Sequence, residues 1–261
     1  MNCVIFGAGG WGTAMAIHLA RQGQTVTLVP RRAEQALALA TTRENKEYLP
    51  GHRLDDSIQI GLEPLPALMD ADLVFLACPS KGLPELLKSI GPAVRGSSTK
   101  MAISLCKGLD LTTLRRPSEM MADAFGPIPV GTLSGPSNAD EVARGLPTAL
   151  VLAAITDDAL LKDVQAVVSG PTLRAYTSTD LIGVEIGGTL KNVYALGAGL
   201  CDGLGLGSNA KAAMLTRSLQ EMARLGEALG ARPETFLGLG GVGDLMATAH
   251  GSWSRNRSLG E

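Results

Sequence analysis

Lys191 stands in the segment GVEIGGTLKNVYALGAGL (183–200), where its neighbours at helical spacing are Val184, Gly187, Gly188, Ala195 and Ala198. All are small or apolar. An ammonium on such a surface is poorly hydrated, which disfavours its charged form and brings its pKa toward values useful for proton transfer. The same lysine could instead snorkel to solvent along its own methylene stem, and the segment alone leaves both fates open. A second group of chemical side chains lies in LGLGGVGDLMATAHGSWSRNRS (237–258), whose glycines let the backbone approach other groups closely. It presents Asp244, Thr248, Arg255 and Asn256 in a short space. Arg255 can fork onto phosphate oxygens and Asn256 adds neutral donors. Taken singly, an Asp or an Arg is more often a solvated surface residue.

A third pattern, GAGGWG at residues 7–12, places Gly7, Gly9 and Gly12 at the spacing G-x-G-x-x-G between the apolar run CVIF and a helical segment. In a dinucleotide fingerprint the first glycine makes the tight turn and the second admits the pyrophosphate. The third lets helix and strand pack closely, with the phosphates at the positive helix end. With 32 glycines in 261 residues the pattern alone is weak, and its strand–turn–helix setting carries the reading. At the end of the second strand an acid would bond the ribose of NAD, whereas a basic residue suits a 2′-phosphate. That place reads VPRRAE, with Arg31 and Arg32, so NADP(H) is the expected cofactor and NAD(H) the alternative.

The elements that must position these groups fall into two kinds. Strand-like runs at 3–6, 25–29, 71–78, 100–106, 129–135 and 148–154 alternate with helical segments at 14–21, near 33–41 and from Pro84. Continuous apolar strands separated by helices imply a mostly parallel sheet covered on both faces. Past about Asp180 strand signals fade and two long small-residue helical segments follow, the second with Asn209 as a candidate cap and Gly230 and Pro233 as a stop. The expected fold class is α/β: a Rossmann-type doubly wound sheet over residues 1–180, followed by an all-helical, incomplete substrate-binding domain over 181–261.

Composition bounds the partners. With 23 Lys+Arg against 25 Asp+Glu there is no bulk pull toward nucleic acid. Apolar stretches are too short for a membrane span. The start of the chain has no leader pattern, which favours a cytoplasmic protein. Cys3, Cys78, Cys106 and Cys201 read as free buried thiols. His18, His52 and His250 are isolated, and no metal site is expected.

Several ordered motifs together give a resemblance. The stretches GAGGWGTAMA (7–16), RENKEYLPG (43–51), SLCKGLD (104–110), LSGPSNADEVARGLPTA (133–149), GVEIGGTLKNVYALGAGLCDGLGLGSNAKAAMLTR (183–217) and GLGGVGDLMATAHGSWSRNR (238–257) make the chain similar, over nearly its whole length, to the bacterial-type NAD(P)-dependent glycerol-3-phosphate dehydrogenases. The resemblance implies reversible reduction of dihydroxyacetone phosphate to sn-glycerol 3-phosphate, a precursor of glycerophospholipids. It implies that Lys191 is the catalytic proton carrier and Lys107 a second active-site lysine near substrate and cofactor. Asn192, Asp244 and Thr248 match the polar set around Lys191. Gly135 and Ser137 match substrate contacts, and Ser254, Arg255 and Asn256 the phosphate grip, with Arg255 also near the cofactor. Gly7, Gly9, Gly10, Trp11, Gly12, Arg31, Arg32, Lys107 and Ala139 match the cofactor side. A homodimer is implied. Asn138 replaces the family's usual phenylalanine, and Lys81 a neutral polar residue. The chain stops at RNRSLGE, where a further helical portion is expected. The competing reading is a shortened, non-catalytic dinucleotide-binding protein of the same fold. A 2-hydroxyacid enzyme explains the Arg255–Asn256 cluster less well.

Overall fold

The computed structural model describes residues 1–261. Its strands are β1 (Asn2–Phe6), β2 (Thr25–Val29), β3 (Glu44–Asn45), β4 (Leu49–Arg53), β5 (Gln59–Ile60), β6 (Leu73–Leu76), β7 (Met101–Ser104), β8 (Val130–Ser134), β9 (Thr148–Ala154) and β10 (Leu173–Ser178). Its helices are α1 (Gly10–Arg21), α2 (Ala33–Thr42), α3 (Pro64–Leu68), α4 (Leu83–Arg95), α5 (Pro117–Phe125), α6 (Ala139–Arg144), α7 (Asp158–Val168), α8 (Leu181–Gly203), α9 (Gly207–Ala228), α10 (Asp244–His250) and α11 (Arg255–Gly260).

Eight strands form one sheet in the order β10-β9-β8-β7-β6-β1-β2-β5, and β3 with β4 makes a separate hairpin. Neighbours in the large sheet are parallel except β8 and β9. The apolar runs are continuous because both faces are buried. On β1, Cys3 and Ile5 enter one core, while Val4 and Phe6 enter the other. The first core is closed by α1, α6 and α7, and the second by α4 and α5. Helices on both faces make the sheet doubly wound, as expected.

Chain order reverses between β1 and β6, since β1 leads outward to β2 and β5 while β6 leads the other way to β7 and β8. Such a switch point opens a crevice at the carboxyl ends of the strands, where open α/β sheets hold ligands. The sheet ends at Ser178. Asp180 caps α8 by accepting from the Gly183 N–H, and everything after it is helical. Helices α9, α10 and α11 all pack on α8. No helix is long and apolar enough to cross a membrane.

Three features depart from the sequence reading. The hairpin, β5, β10, α3, α5, α6 and α7 are not among the elements it expects. Asn209 does not cap α9, because the helix begins earlier, at Gly207, and has no side-chain cap. Asn138, in place of the family's phenylalanine, caps α6 by accepting from the Glu141 N–H at 3.0 Å.

Candidate active site

The glycine turn lies where β1 meets the switch point. Gly7 has φ 109°, a backbone conformation L side chains rarely adopt, and a Cβ there would stand 2.6 Å from the Ala77 carbonyl oxygen beyond β6. At Gly12 a Cβ would lie 2.0 Å from the Gly7 carbonyl oxygen, so only glycine lets α1 start this close to its own strand. Gly9 faces open space, with nothing within 4 Å of a Cβ. Helix α1 has no side-chain cap and no acid in its first turn, so its free N–H groups and positive end stay available to an anion. The Trp11 indole N–H is buried without a partner, although its ring packs against the core. These features fit a pyrophosphate-bearing cofactor.

The hairpin segment holds this turn in place. Asn45 donates to the Ala8 carbonyl at 2.9 Å and to the Thr13 hydroxyl at 2.7 Å, and Gly10 packs under the Tyr48 carbonyl. Ala139, the first residue of α6, lies against Gly10 from the other side. Arg31 and Arg32 are exposed just after β2. Arg32 pairs with Glu47 at 2.5 Å. The variant G12A is expected to cost about 1–3 kcal/mol of stability through overpacking and to abolish cofactor binding. Thermal unfolding and titration with NADPH check both.

The second half of the crevice is built from four elements. Lys107 follows β7, Gly135 and Ser137 follow β8, Lys191 comes from the middle of α8, and Asp244 and Thr248 lie one turn apart on α10. A π-helical turn at Leu239–Gly243 feeds α10 and lays its glycines on α8, where a Cβ on Gly187 would stand 2.1 Å from the Gly240 carbonyl oxygen. That close approach brings Asp244 to both lysines. Lys107 donates to one carboxylate oxygen at 2.5 Å, and Lys191 pairs with the other at 2.9 Å. Asp244 is 1 % exposed and Lys191 6 %, so Lys191 does not snorkel to solvent.

The two ammoniums differ in what they have left to give. Lys107 spends all three N–H groups, on Asp244, on the Gly135 carbonyl at 2.9 Å and on the Ser137 hydroxyl at 2.9 Å. Lys191 donates to the Thr248 hydroxyl at 2.8 Å, which itself donates to the Asp244 backbone carbonyl. It is ion-paired with Asp244 without a hydrogen bond to it. Lys191 therefore keeps N–H capacity that Lys107 lacks. Burial and the neighbouring Lys107 charge bring its pKa down to about 8, against the opposing pull of Asp244.

Asn192 is half-buried and accepts from the Asn256 amide at 2.9 Å, which ties α11 to α8. Ser254 is buried and caps α11 by accepting from the Arg257 N–H. Arg255 is exposed on the first turn of α11, and Lys81 is exposed beyond β6. Two site features escaped the sequence reading. Ser134, at the end of β8, has a buried hydroxyl without a partner beside Gly188 and Lys107. Glu185 on α8 is buried and accepts from Arg116 at 2.9 Å and from the Ser118 amide and hydroxyl at 2.8 and 2.6 Å. It fixes α8 against α5 two turns before Lys191. Burial pushes the Glu185 carboxyl up, against those donors.

Residues 2–161 match the family model for the NAD-dependent glycerol-3-phosphate dehydrogenase N-terminus, and residues 180–261 the model for its C-terminus. A glycerol-3-phosphate dehydrogenase [NAD(P)+] of Thermus thermophilus is 49 % identical over 263 aligned positions, covering 100 % of this chain and 79 % of its own. One from Moorella thermoacetica is 47 % identical, covering 99 % and 76 %. The crystal structure of glycerol-3-phosphate dehydrogenase from Coxiella burnetii superposes with a TM-score of 0.94 at 37 % identity, covering 99 % of this chain and 78 % of that one.

Proposed function

We propose that this chain, which belongs to the NAD-dependent glycerol-3-phosphate dehydrogenase family, reduces dihydroxyacetone phosphate reversibly to sn-glycerol 3-phosphate with Lys191 as its proton carrier. The observation that carries this assignment is the uncommitted N–H capacity of a buried lysine whose pKa is brought down to about 8. A proton carrier must reach the substrate oxygen and must hold its proton loosely enough to release it. Lys107, with every donor engaged, is a fixed positive charge instead.

The site carries one net positive charge when both lysines are protonated, which suits an anionic substrate and the negative charge that develops on its C2 oxygen during reduction. Asp244 holds both ammoniums in place, and Thr248 orients the Lys191 headgroup. When bound, the nicotinamide cofactor supplies the hydride that C2 accepts. Lys191 then gives its free proton to the C2 oxygen, and in the oxidation direction it takes that proton back. Gly135 and Ser137 position the substrate through the Lys107 network. Arg255 and Asn256, with Ser254 fixing the start of their helix, are assigned to the substrate phosphate. The open turn at Gly7, Gly9, Gly10, Trp11 and Gly12 would hold the cofactor pyrophosphate. Residues 1–180 would form the cofactor half and 181–261 the substrate half.

NADPH is the preferred donor on this reading, because two cations and no acid stand directly after β2. Glu47 already pairs with Arg32, so a 2′-phosphate must displace a carboxylate there. R32A is therefore expected to raise the KM for NADPH about tenfold while leaving that for NADH nearly unchanged. Steady-state kinetics with both cofactors checks it, and an unmoved preference removes the assignment. A cytoplasmic homodimer is the proposed setting. Val193, Leu200, Leu204 and Leu206 expose apolar surface on and beside α8 of a kind that association covers, and sedimentation velocity measures it. The central assay follows NADPH absorbance on addition of dihydroxyacetone phosphate. Tight NADPH binding without turnover would assign a binding role instead.

A further inference from the structure

Cys78 and Cys106 each stand two residues beyond a directly paired couple, Leu76 on β6 and Ser104 on β7. Neighbouring strands run about 4.7–4.9 Å apart with a side-chain period of two, so both thiols leave the sheet edge on one face. Their Sγ atoms lie 3.9 Å apart. A disulfide spans about 4.4–6.8 Å between Cα atoms, a range that includes the spacing of the two strands these residues leave. All four thiols are free, as the sequence reading has it. Cys3 and Cys201 are buried as well, whereas Cys78 is only half-buried. Cys106 is 8 % exposed, with the carbonyls of Leu76 and Cys78 at 3.4 and 2.9 Å.

We propose that Cys78 and Cys106 are a reversible redox dithiol, closed to a disulfide by low-molecular-weight disulfides of the glutathione type, and that closure lowers turnover by displacing Lys107. The two thiols have unequal parts. Cys78 can be reached from solvent, and the neighbouring Cys106 thiol favours its thiolate. Cys106 is held protonated by its neighbour and by burial, and acts second. The Cys78 thiolate attacks one sulfur of the small disulfide, forming a mixed disulfide and expelling one thiolate. Its negative charge is then gone. Cys106 loses its proton to water and attacks the Cys78 sulfur, forming the protein disulfide and expelling the second thiolate. Two protein thiols and one small disulfide become one protein disulfide and two small thiols, and a dithiol reductant reverses the exchange.

The coupling to turnover is covalent and short. An S–S bond of about 2.0 Å requires the sulfurs to approach by nearly half their present separation. Cys106 is bonded directly to Lys107, and Gly108, at φ 153°, is confined against the Ser80 hydroxyl. Drawing Cys106 toward β6 pulls Lys107 from Asp244, Gly135 and Ser137. A misplacement of about 1 Å in a catalytic constellation can cost about a hundredfold.

The second half of the proposal rests on the role assigned to Lys107, and the first does not. The reduced full-length chain is incubated with oxidised glutathione at graded ratios to glutathione, alkylated, digested and weighed as peptides, with turnover measured in parallel. The expected result is one disulfide joining Cys78 to Cys106, with activity falling at least about tenfold in step with it and returning on dithiothreitol. C78S and C106S should keep their activity under the same oxidant. Full alkylation of both cysteines, or a glutathione adduct on Cys78 that never closes, overturns the dithiol. A cross-linked protein of undiminished activity overturns the switch. Because the cross-link is read by mass, its outcome stands even where no dihydroxyacetone phosphate is turned over.

Discussion

Replacement of Lys191 by alanine is expected to lower kcat for dihydroxyacetone phosphate reduction about a thousandfold, with NADPH affinity nearly unchanged. A positioned general acid contributes on the order of a hundred to ten thousandfold, and no other ammonium in this site has an uncommitted N–H. Lys107 cannot substitute, because its three N–H groups are committed to Asp244, Gly135 and Ser137. The pH dependence follows from the direction of proton flow. In reduction Lys191 must arrive protonated, and burial beside Lys107 holds its pKa at about 8. The value of kcat/KM for reduction should therefore be level below that pH and fall tenfold per pH unit above it. In oxidation the neutral amine is the reactive form, so the profile should rise to the same pH and then level. A K191A enzyme that keeps either bend, or loses less than tenfold in rate, would take the proton-carrier role away from this residue.

The parts of this site that short segments encode were legible without coordinates. The glycine turn is one, since strand, turn and helix follow one another within residues 2–21, and Gly7 and Gly12 answer local steric demands. The sheet is another, because strands buried on both faces are continuous apolar runs. Elements whose signals are weak or mixed were missed. In the hairpin, Pro50, Gly51 and His52 interrupt a polar strand, and its tertiary contacts, with Ala8 and Gly10 of the turn, Leu49 in the core and His52 on Asp140, hold it. The edge strand β10 buries Leu173 and Ala175 but turns Arg174 and Tyr176 outward, a half-polar alternation easily taken for a loop. For Lys191 the local sequence left burial and snorkelling in balance. What decides between them is α10, which arrives 57 positions later to supply Thr248, and the glycine-to-glycine contact that lets it come close. The partnership of Lys107 with Asp244, 137 positions apart, has no periodic signature at all. It could be expected only from the family resemblance. Ser134 and Glu185 were invisible for the same reason: a buried polar group declares itself only through what surrounds it.

The shared carboxylate makes two substitutions move one property in opposite directions. Asp244 is the sole anion paired with the two lysines, and its attraction raises the pKa of Lys191 while burial and Lys107 lower it. In D244N that attraction is lost and both lowering influences remain. The Lys191 pKa should drop below 8, and the fall in kcat/KM for reduction should begin at correspondingly lower pH. Both ammoniums also lose a charged partner that fixed their geometry, so turnover at neutral pH should fall about a hundredfold. K107M removes the repelling charge and keeps the apolar stem. There the Lys191 pKa should rise above 8, and the fall should begin at higher pH. A loosened site in general would lower both rates but would shift both profiles alike. Opposite shifts are therefore the signature of one carboxylate balancing two cations, and parallel shifts would dissolve that account. The readout is the pH dependence of kcat/KM in the three enzymes at constant ionic strength, since screening weakens interactions among partly exposed charges.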